Sequence, residues 1–477
     1  MTVRIHLIQI MIVLIPIGMF LWLAQIELVP SGVFVVSHGV HDRSPYLDSL
    51  SPESRVESPE RVNGTWVQSL LDDPVFFFVH PHRHFDTASF EIWFKNEGVP
   101  IVEFGGLTQT KPESYDLKPL QNLLIDQLRW DQVKGQGLTL YQKEKIYPSL
   151  EAFFANPPSR DRVGVYRADF LVPYRLAGYI ASSAEQTIDA SLRGTHEMKT
   201  YIKNETLDFT FSYMDMNRDE GADPVTITVF NEHGEPVADV RANDDGNMRS
   251  DAQSSSLTTL KMNAPGLSEG VYKLVLSASR DIFFRRITTT QQKVVFVRGM
   301  YLGDEIGYRE PPKSVQIWTA SPRLQGQTRH GAGVQNITFG KQVFSLSTPY
   351  HLFTFETPGT FSPMTFPKGD VEVFFDGPAA FSASAYFEPD PVAIRSYTQP
   401  AKQGIAFILT SYEPPRQQNG WFVQTVDFDT AKLAFNASSW KFAFSLPDIK
   451  AFGAKLVVKQ INATFTRKPF AWEDLWR

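Results

Sequence analysis

The chain has 477 residues, of which 42% are hydrophobic and 13% aromatic, and it carries a net charge of −6 with no cysteine. This amount of apolar material can fill several cores, and at roughly 100–200 residues per domain it predicts two to four domains. The acidic balance argues against nucleic acid as a partner. The lack of cysteine excludes disulfides, thiol nucleophiles and thiolate metal sites.

The N-terminal segment is apolar over the length of a membrane-spanning helix. Between Ile5 and Leu23 only His6 and Gln9 are polar, and an α-helix of about 20 apolar residues crosses the ~30 Å hydrocarbon layer of a bilayer. We therefore predict a transmembrane anchor at residues 5–26, with the membrane as its partner. A cleaved signal peptide is the alternative, but the chain offers no good small-residue cleavage site after the apolar run.

The charges beside the anchor predict its orientation. Arg4 precedes the apolar run and Glu27 is the first charge after it, so the positive-inside bias keeps residues 1–4 as a cytoplasmic stub. Large secreted proteins of eukaryotes usually carry disulfides, which this chain cannot form. We therefore expect a single-pass protein of a prokaryotic cell envelope, with its body on the extracytoplasmic side.

The body is expected to be all-β, with about three β-sandwich domains of jelly-roll or immunoglobulin-like type after the anchor. A polar stretch punctuated by proline, residues 27–64, is predicted to be a spacer. Residues 65–185 form the first predicted sandwich, in which Phe90–Lys95 alternates apolar and polar side chains as a half-buried strand does. The turn Asn96–Gly98 between this run and Ile101–Gly105 predicts a hairpin.

The pattern Phe90–Lys95 followed by Ile101–Gly106 resembles a short stretch of the concanavalin-type jelly rolls of laminin-G-like lectin and binding domains. The resemblance implies a sandwich that binds glycans or proteins, but it assigns no binding residue of that family to a position in this chain. On the polar face of the strand, Trp93 beside Glu91 suits a sugar ligand. These two residues are the candidate ligand-binding pair, and the alternative is that a second sheet covers this face.

Three of the ten histidines, His80, His82 and His84, alternate with other residues directly after the apolar run Val75–Val79. In an extended strand the three rings would share one face, and neutral imidazole is a ligand for zinc, copper or nickel. The opposing interpretation is a polar strand end, because Pro81 interrupts the run and the outer two rings would lie roughly 13 Å apart. The three histidines are a candidate transition-metal site.

Residues 190–300 form the second predicted sandwich, because strand-like runs recur about every ten residues with Gly, Pro and Asp between them. Val225–Val237 is strand, turn and strand, and Glu269–Leu276 is a turn followed by a strand. These stretches resemble the immunoglobulin-like and pre-peptidase C-terminal-like sandwiches of bacterial surface proteins. The resemblance implies a spacer or an accessory binding module.

An acidic loop in the second predicted sandwich contains Asp215, Asn217, Asp219 and Asp223. Oxygen-bearing side chains at alternate positions beside a glycine are typical of calcium loops. The helix-loop-helix form is excluded because its glycine and its terminal glutamate do not match here. Calcium is therefore the candidate cofactor, in a sandwich loop to which Asp244 and Asp245 could add ligands, and the alternative is a solvated acidic turn.

Residues 301–470 form the third predicted sandwich, with strand candidates that include Val371–Phe375 and Lys455–Lys459. An aromatic tail follows at residues 471–477, where Trp472 and Trp476 would share one side of a helical turn.

Catalytic patterns are absent from the sequence: it has no phosphate-binding glycine loop, no nucleophile elbow and no His-Glu-x-x-His motif. An enzyme is therefore not favoured, although carboxylates from different strands can come together in the fold. We expect a membrane-anchored envelope protein whose sandwiches bind a surface glycan or a protein partner. The alternatives are a surface-attached glycan-active enzyme and a scaffold subunit of an envelope assembly.

Overall fold

The computed structural model describes residues 14–20, 22–23, 29–81, 83–304 and 313–469. From residue 29 onward the described residues form thirty-four strands and two short α-helices, α1 (Leu123–Asp126) and α2 (Leu150–Ala155). The prediction of an all-β body built from sandwiches is confirmed.

The strands fall into five groups along the chain. The first seven are β1 (Val33–Gly39), β2 (Glu60–Val62), β3 (Thr65–Leu70), β4 (Val75–Val79), β5 (Thr87–Glu97), β6 (Ile101–Thr110) and β7 (Glu113–Asn122). Three short strands follow, β8 (Asp131–Gly135), β9 (Leu138–Gln142) and β10 (Val163–Tyr166). The next ten are β11 (Gln186–Ile188), β12 (Leu192–Arg193), β13 (His196–Ile202), β14 (Leu207–Asp215), β15 (Val225–Phe230), β16 (Pro236–Ala242), β17 (Thr258–Ala264), β18 (Gly270–Ser277), β19 (Ile282–Thr289) and β20 (Val294–Asp304). Seven more are β21 (Val315–Thr319), β22 (Arg323–Gln327), β23 (Gln335–Phe339), β24 (Gln342–Leu346), β25 (Phe353–Glu356), β26 (Ser362–Phe366) and β27 (Gly369–Ala380). The last seven are β28 (Val392–Ala393), β29 (Phe407–Thr410), β30 (Arg416–Gln418), β31 (Trp421–Asp429), β32 (Phe435–Asn436), β33 (Ser439–Ser445) and β34 (Lys455–Thr466).

Most of the predicted anchor, residues 5–26, lies outside the described residues. Residues 14–20 and 22–23 are helical, and their apolar side chains, including Phe20 and Trp22, are exposed. Within the part of the chain that is described, no helix has both the length and the apolar character that a membrane crossing requires. The stub at residues 1–4 and the aromatic tail at residues 471–477 also lie outside the described residues.

The first compact unit combines N-terminal and C-terminal strands. It comprises the described residues up to Trp130, together with Ile394–Thr398 and the described residues from Tyr412 onward. Strand β1 pairs antiparallel with β34 over its whole length, and Leu47 is buried. The segment 27–64, expected to be a spacer, therefore contributes two strands, β1 and β2, and apolar core side chains to this unit.

Two sheets enclose the core of the first unit. One has seven strands in the order β2-β3-β34-β5-β31-β30, with β1 also paired to β34, and the other has five, in the order β32-β33-β6-β7 with β4 also paired to β33. Phe90 of β5 and Phe442 of β33 meet between the sheets with ring centroids 4.4 Å apart. The alternation predicted for β5 is confirmed, because Phe90, Ile92 and Phe94 are buried while the intervening side chains are not.

The predicted hairpin between β5 and β6 is wrong. Strand β5 pairs with β34 and β31, whereas β6 pairs with β7 and β33, so the two strands belong to different sheets. Asn96 holds the connection, since its side chain accepts a hydrogen bond from the Val99 amide (2.7 Å) and donates to the Val99 carbonyl (2.9 Å). Both strands have a row of apolar side chains, and placing them in different sheets buries both rows in one core.

The second compact unit comprises the described residues of Asp131–Ala393 and of Gln399–Ser411. A five-stranded sheet in the order β28-β10-β29-β9-β8 packs against Phe153 of α2. Helix α2 begins after Ser149, whose hydroxyl accepts a hydrogen bond from the Ala152 amide and so caps the helix. Strands β11 to β27 form one continuous seventeen-stranded path.

Strand β20 unites the second and third predicted sandwiches. It pairs with β13 on one side and with β27 on the other, and one hydrophobic core extends from Ile188 to Ala379. The predicted limit between 190–300 and 301–470 thus falls within a strand. The observed units also differ from the expected domains in that residues 131–185 belong to the second unit. Pairing between segments far apart in sequence sets these limits.

Candidate functional site

The outer face of the seven-stranded sheet carries a group of half-buried aromatic and polar side chains, here called the outer-face patch: Glu91, Trp93, Trp421, Lys459 and Asn462. The Nε1 of Trp93 donates a hydrogen bond to Oε1 of Glu91 at 2.8 Å. The Nδ2 of Asn462 donates to the same oxygen at 3.0 Å. The structure thus brings the predicted ligand pair together and holds its carboxylate between two donors.

A β-bulge brings Lys459 onto this face. The register of β34 against β5 shifts between Val458 and Gln460, which makes Lys459 the extra residue, and a bulge commonly re-aims a side chain. Its Nζ lies 4.7 Å from the ring centroid of Trp93 and 5.6 Å from that of Trp421. Lys459 therefore makes cation–π contacts with both tryptophans.

Further polar groups extend the outer-face patch towards β1. The Nε2 of Gln460 donates to Oδ1 of Asn462 at 2.7 Å and to Oγ of Ser37 at 2.8 Å. The Ser37 hydroxyl donates to Oδ1 of Asn462 at 2.8 Å. Two aromatic rings beside a row of oriented amide, hydroxyl and carboxylate groups can bind a ligand that has both apolar C–H faces and hydroxyls.

The three histidines predicted to bind a transition metal follow strand β4. Strand β4 ends at Val79, so His80 and His84 lie beyond the strand. The Nε2 of His80 lies 3.0 Å from Oδ1 of Asp48, whereas the ring of His84 lies against Phe435. His82 lies outside the described residues. His80 and His84 therefore have separate partners.

A second group of charged side chains lies at one end of the β11–β20 sandwich, where three loops meet. We call it the acidic cluster: Asp215 at the end of β14, Asp223 of the β14–β15 connection, Asp244 and Asp245 of the β16–β17 connection, and Asp281 directly before β19. Among the described residues, two groups of three carboxylates have ligand atoms within 4.8 Å of one another, Asp215 with Asp244 and Asp245, and Asp215 with Asp223 and Asp281. Asp215 belongs to both groups.

Hydrogen bonds between the loops hold this end of the sandwich. Asn217, one of the predicted ligands, is buried and donates from Nδ2 to Oδ2 of Asp245 at 3.2 Å and to the Gln253 carbonyl at 2.8 Å. The amide of Asp223 donates to Oδ1 of Asp244 at 2.9 Å. The amide of Met216 donates to the carbonyl of Asp281 at 3.1 Å. The sequence-predicted loop is thus tied to two others.

Asp219 has a different place from the one predicted. Its side chain is exposed and lies outside both carboxylate groups, while its backbone amide donates to Oδ2 of Asp281 at 2.5 Å. Asp281 was missed by the sequence reasoning, because a single aspartate after Ser279 and Arg280 carries no pattern. Only the packing of β19 beside β14 places it in the cluster.

The carboxylates of the acidic cluster repel one another when they are charged and no cation lies between them. Burial, together with the smaller effect of the negative charges of Asp223, Asp245 and Asp281, raises the pKa of Asp215 to about 6. The hydrogen bond from the Asn217 amide opposes this rise. Asp215 and Asp281 are 2% and 0% exposed.

No protein-family model matches the chain, and the comparison with curated proteins found no match. Among solved structures, that of T=1 particles derived from infectious bursal virus is 10% identical, with 93% of this chain and 83% of that chain covered at a TM-score of 0.17. A crystal structure of dimeric latent PorU from Porphyromonas gingivalis is 11% identical, with 64% of this chain and 30% of that chain covered at a TM-score of 0.15. Likenesses this weak assign no function to the chain.

Proposed function

We propose that this is a membrane-anchored cell-envelope protein that binds a surface glycan on the outer-face patch. In this proposal the apolar segment at residues 5–26 anchors the protein in the membrane with a single crossing, and the β-rich body lies on the extracytoplasmic side. The basis for the location is the apolar run with Arg4 before it and Glu27 after it.

One observation carries the binding proposal: the half-buried Trp93 is hydrogen-bonded to Glu91 on the outer face of a sheet. A tryptophan with one apolar face and one anchored N–H is a rigid surface on which a ring can stack. Glu91 and Asn462 lie beside it and fix polar atoms at the edge of that surface. Sugar rings offer both complementary features, an apolar C–H face and hydroxyls around the edge.

Lys459 adds selectivity to this patch. Its ammonium lies over Trp93 in the free protein, and a sugar that stacks on that ring must displace it or share the ring with it. Glycans that carry carboxylate or phosphate groups can pair with the displaced ammonium, so the proposal favours acidic over neutral glycans.

The test uses the full-length protein in detergent micelles on a glycan array, compared with the variant Trp93→Ala. Trp66→Ala is the matched control, since Trp66 is an exposed tryptophan of the same unit that stacks on His41 instead. We expect binding by the wild type and by Trp66→Ala, and loss of at least about tenfold in affinity for Trp93→Ala, in line with the loss of a buried aromatic contact. No binding to any glycan, or equal loss in both variants, would overturn the proposal.

The location has its own test. Protease added outside intact cells is expected to digest the body and to leave a short membrane-bound fragment that contains residues 5–26. Protection of the body until the cells are lysed would contradict the proposed orientation without bearing on glycan binding.

A further inference from the structure

We propose that the acidic cluster of the β11–β20 sandwich binds one calcium ion. Asp215 is the central ligand, since its carboxylate groups within 4.8 Å with those of Asp223 and Asp281 and, in a second group, with those of Asp244 and Asp245. This ligand set differs from the one that the loop sequence suggested, since Asp281 belongs to it and the side chain of Asp219 does not.

Two buried carboxylates indicate a cation site independently of the number of acidic residues in the cluster. Oδ1 of Asp215 accepts a hydrogen bond from the Asn217 amide, and Oδ2 of Asp281 accepts from the amides of Arg218 and Asp219. Among the described residues, the other oxygen of each, Oδ2 of Asp215 and Oδ1 of Asp281, is buried without a hydrogen-bond partner. A buried carboxylate oxygen that lacks a partner is costly, and a cation beside both oxygens removes that cost.

The chemistry of the donors selects the ion. All of the ligand atoms are oxygens, which bind hard cations and not the softer transition metals. Calcium accepts six to eight oxygens in irregular geometry, whereas magnesium requires a near-ideal octahedron with short bonds. Carboxylates that come from separate loops match the calcium requirement better, because each loop can approach the ion independently.

The ion would fix loops that otherwise meet only through hydrogen bonds. The amide of Ala252 donates to the carbonyl of Asn217 at 2.7 Å, and the amide of Ser255 donates to the carbonyl of Asp215 at 2.7 Å. These bonds join the β14–β15 loop to the β16–β17 loop and bring their carboxylates together. Calcium would therefore stabilise this sandwich and order its loop end, a role independent of the outer-face patch, which lies in the other unit.

The test is calcium binding by the full-length protein in detergent, freed of metal with EGTA. Titration calorimetry with calcium chloride is expected to show one site, and the melting temperature is expected to rise by about 5 °C or more at saturating calcium. The same titration with magnesium chloride is expected to give at least about tenfold weaker binding.

The variant Asp281→Asn separates a calcium site from a structural acidic turn. Its amide keeps an oxygen for the Arg218 and Asp219 amides and offers an NH2 group to the neighbouring carboxylates, so we expect a higher melting temperature than the wild type in EGTA and no further rise with calcium. Asp239→Asn, at an exposed aspartate on β16, is the matched control and should keep the full calcium response. A wild-type protein without bound calcium, or an Asp281→Asn variant that responds like the wild type, would overturn the proposal.

Discussion

The imidazole of His196 joins β13 to β20, because its Nε2 accepts a hydrogen bond from the backbone amide of Tyr301 at 3.1 Å. Its other nitrogen, Nδ1, lies 3.0 Å from the Gly194 carbonyl and must be the protonated one. Both nitrogens of the neutral ring therefore have partners, and the ring is 3% exposed. Protonation of Nε2 would break the bond to Tyr301 and place a charge in the core.

This arrangement predicts a pH-dependent stability. Burial lowers the pKa of His196 from its ordinary value of 6.5 to about 4, against the smaller opposing effect of the Gly194 carbonyl. Between these two pH values the unfolded chain binds a proton that the folded chain does not, so the free energy of unfolding falls as the pH is lowered from 6.5 to 4. The full effect is of the order of 3 kcal/mol.

Denaturant unfolding at pH 7, 5.5 and about 4.5 measures this effect. The variant His196→Gln is expected to be less stable at pH 7 but to lose less stability on acidification, since it has no titrating group at this position. An equal pH slope in the wild type and the variant would show that His196 is not the source.

The ion pair of Arg329 with Glu372 is expected to contribute to the stability of the second unit. Nη2 of Arg329 lies 3.2 Å and 3.1 Å from the two carboxylate oxygens of Glu372, which is 8% exposed. Arg329→Ala leaves the buried Glu372 carboxylate without its cationic partner, although Gln327 still donates a hydrogen bond to it. We expect the free energy of unfolding to fall by about 2–4 kcal/mol. Lys261→Ala, which breaks an exposed pair with Asp208, is expected to cost less than about 1 kcal/mol. Chemical denaturation of both variants compares the two values, and similar losses would contradict the prediction.

Gly105 is predicted to be essential to the close packing of β6 on β7. A Cβ at this position would lie 2.6 Å from the Asp116 carbonyl oxygen and 2.9 Å from the Leu117 Cα, and backbone atoms cannot give way as a flexible side chain can. Gly105→Ala is therefore expected to destabilise the first unit by about 1–3 kcal/mol. Gly331→Ala, where a Cβ meets no described atom within 4 Å, is the control, and thermal unfolding should shift only for Gly105→Ala.

Strand β1 is predicted to be required for the first unit. A chain that begins at residue 60 lacks β1 and the buried Leu47, so the edge of β34 to which β1 pairs would be exposed. We expect this fragment to aggregate or to be cleaved within β34 in limited proteolysis, whereas a chain that begins at residue 29 resists. Equal resistance of both fragments would support the spacer interpretation of residues 27–64.

The sequence was sufficient for features that depend on local periodicity. The alternation in β5 identified Phe90, Ile92 and Phe94 as core residues, because a strand places every second side chain on one face wherever it lies. The spacing of oxygens in the acidic loop likewise marked Asp215 and Asp223, which the fold brings into one cluster. In each of these two patterns the residues involved lie within a few positions of one another in the sequence, so the pattern is visible without the fold.

Only the tertiary structure decided which segments lie together. The pairing of β5 with β34 joins residues more than three hundred positions apart. Nothing in the sequence of the short connection before β6 indicates that β5 and β6 belong to different sheets. Asp281 joins Asp215 for the same reason, since β14 pairs with β19. A strand offers hydrogen-bonding groups on both edges without specifying a partner, so the outer-face patch and the acidic cluster both arise from long-range pairing that side-chain periodicity does not encode.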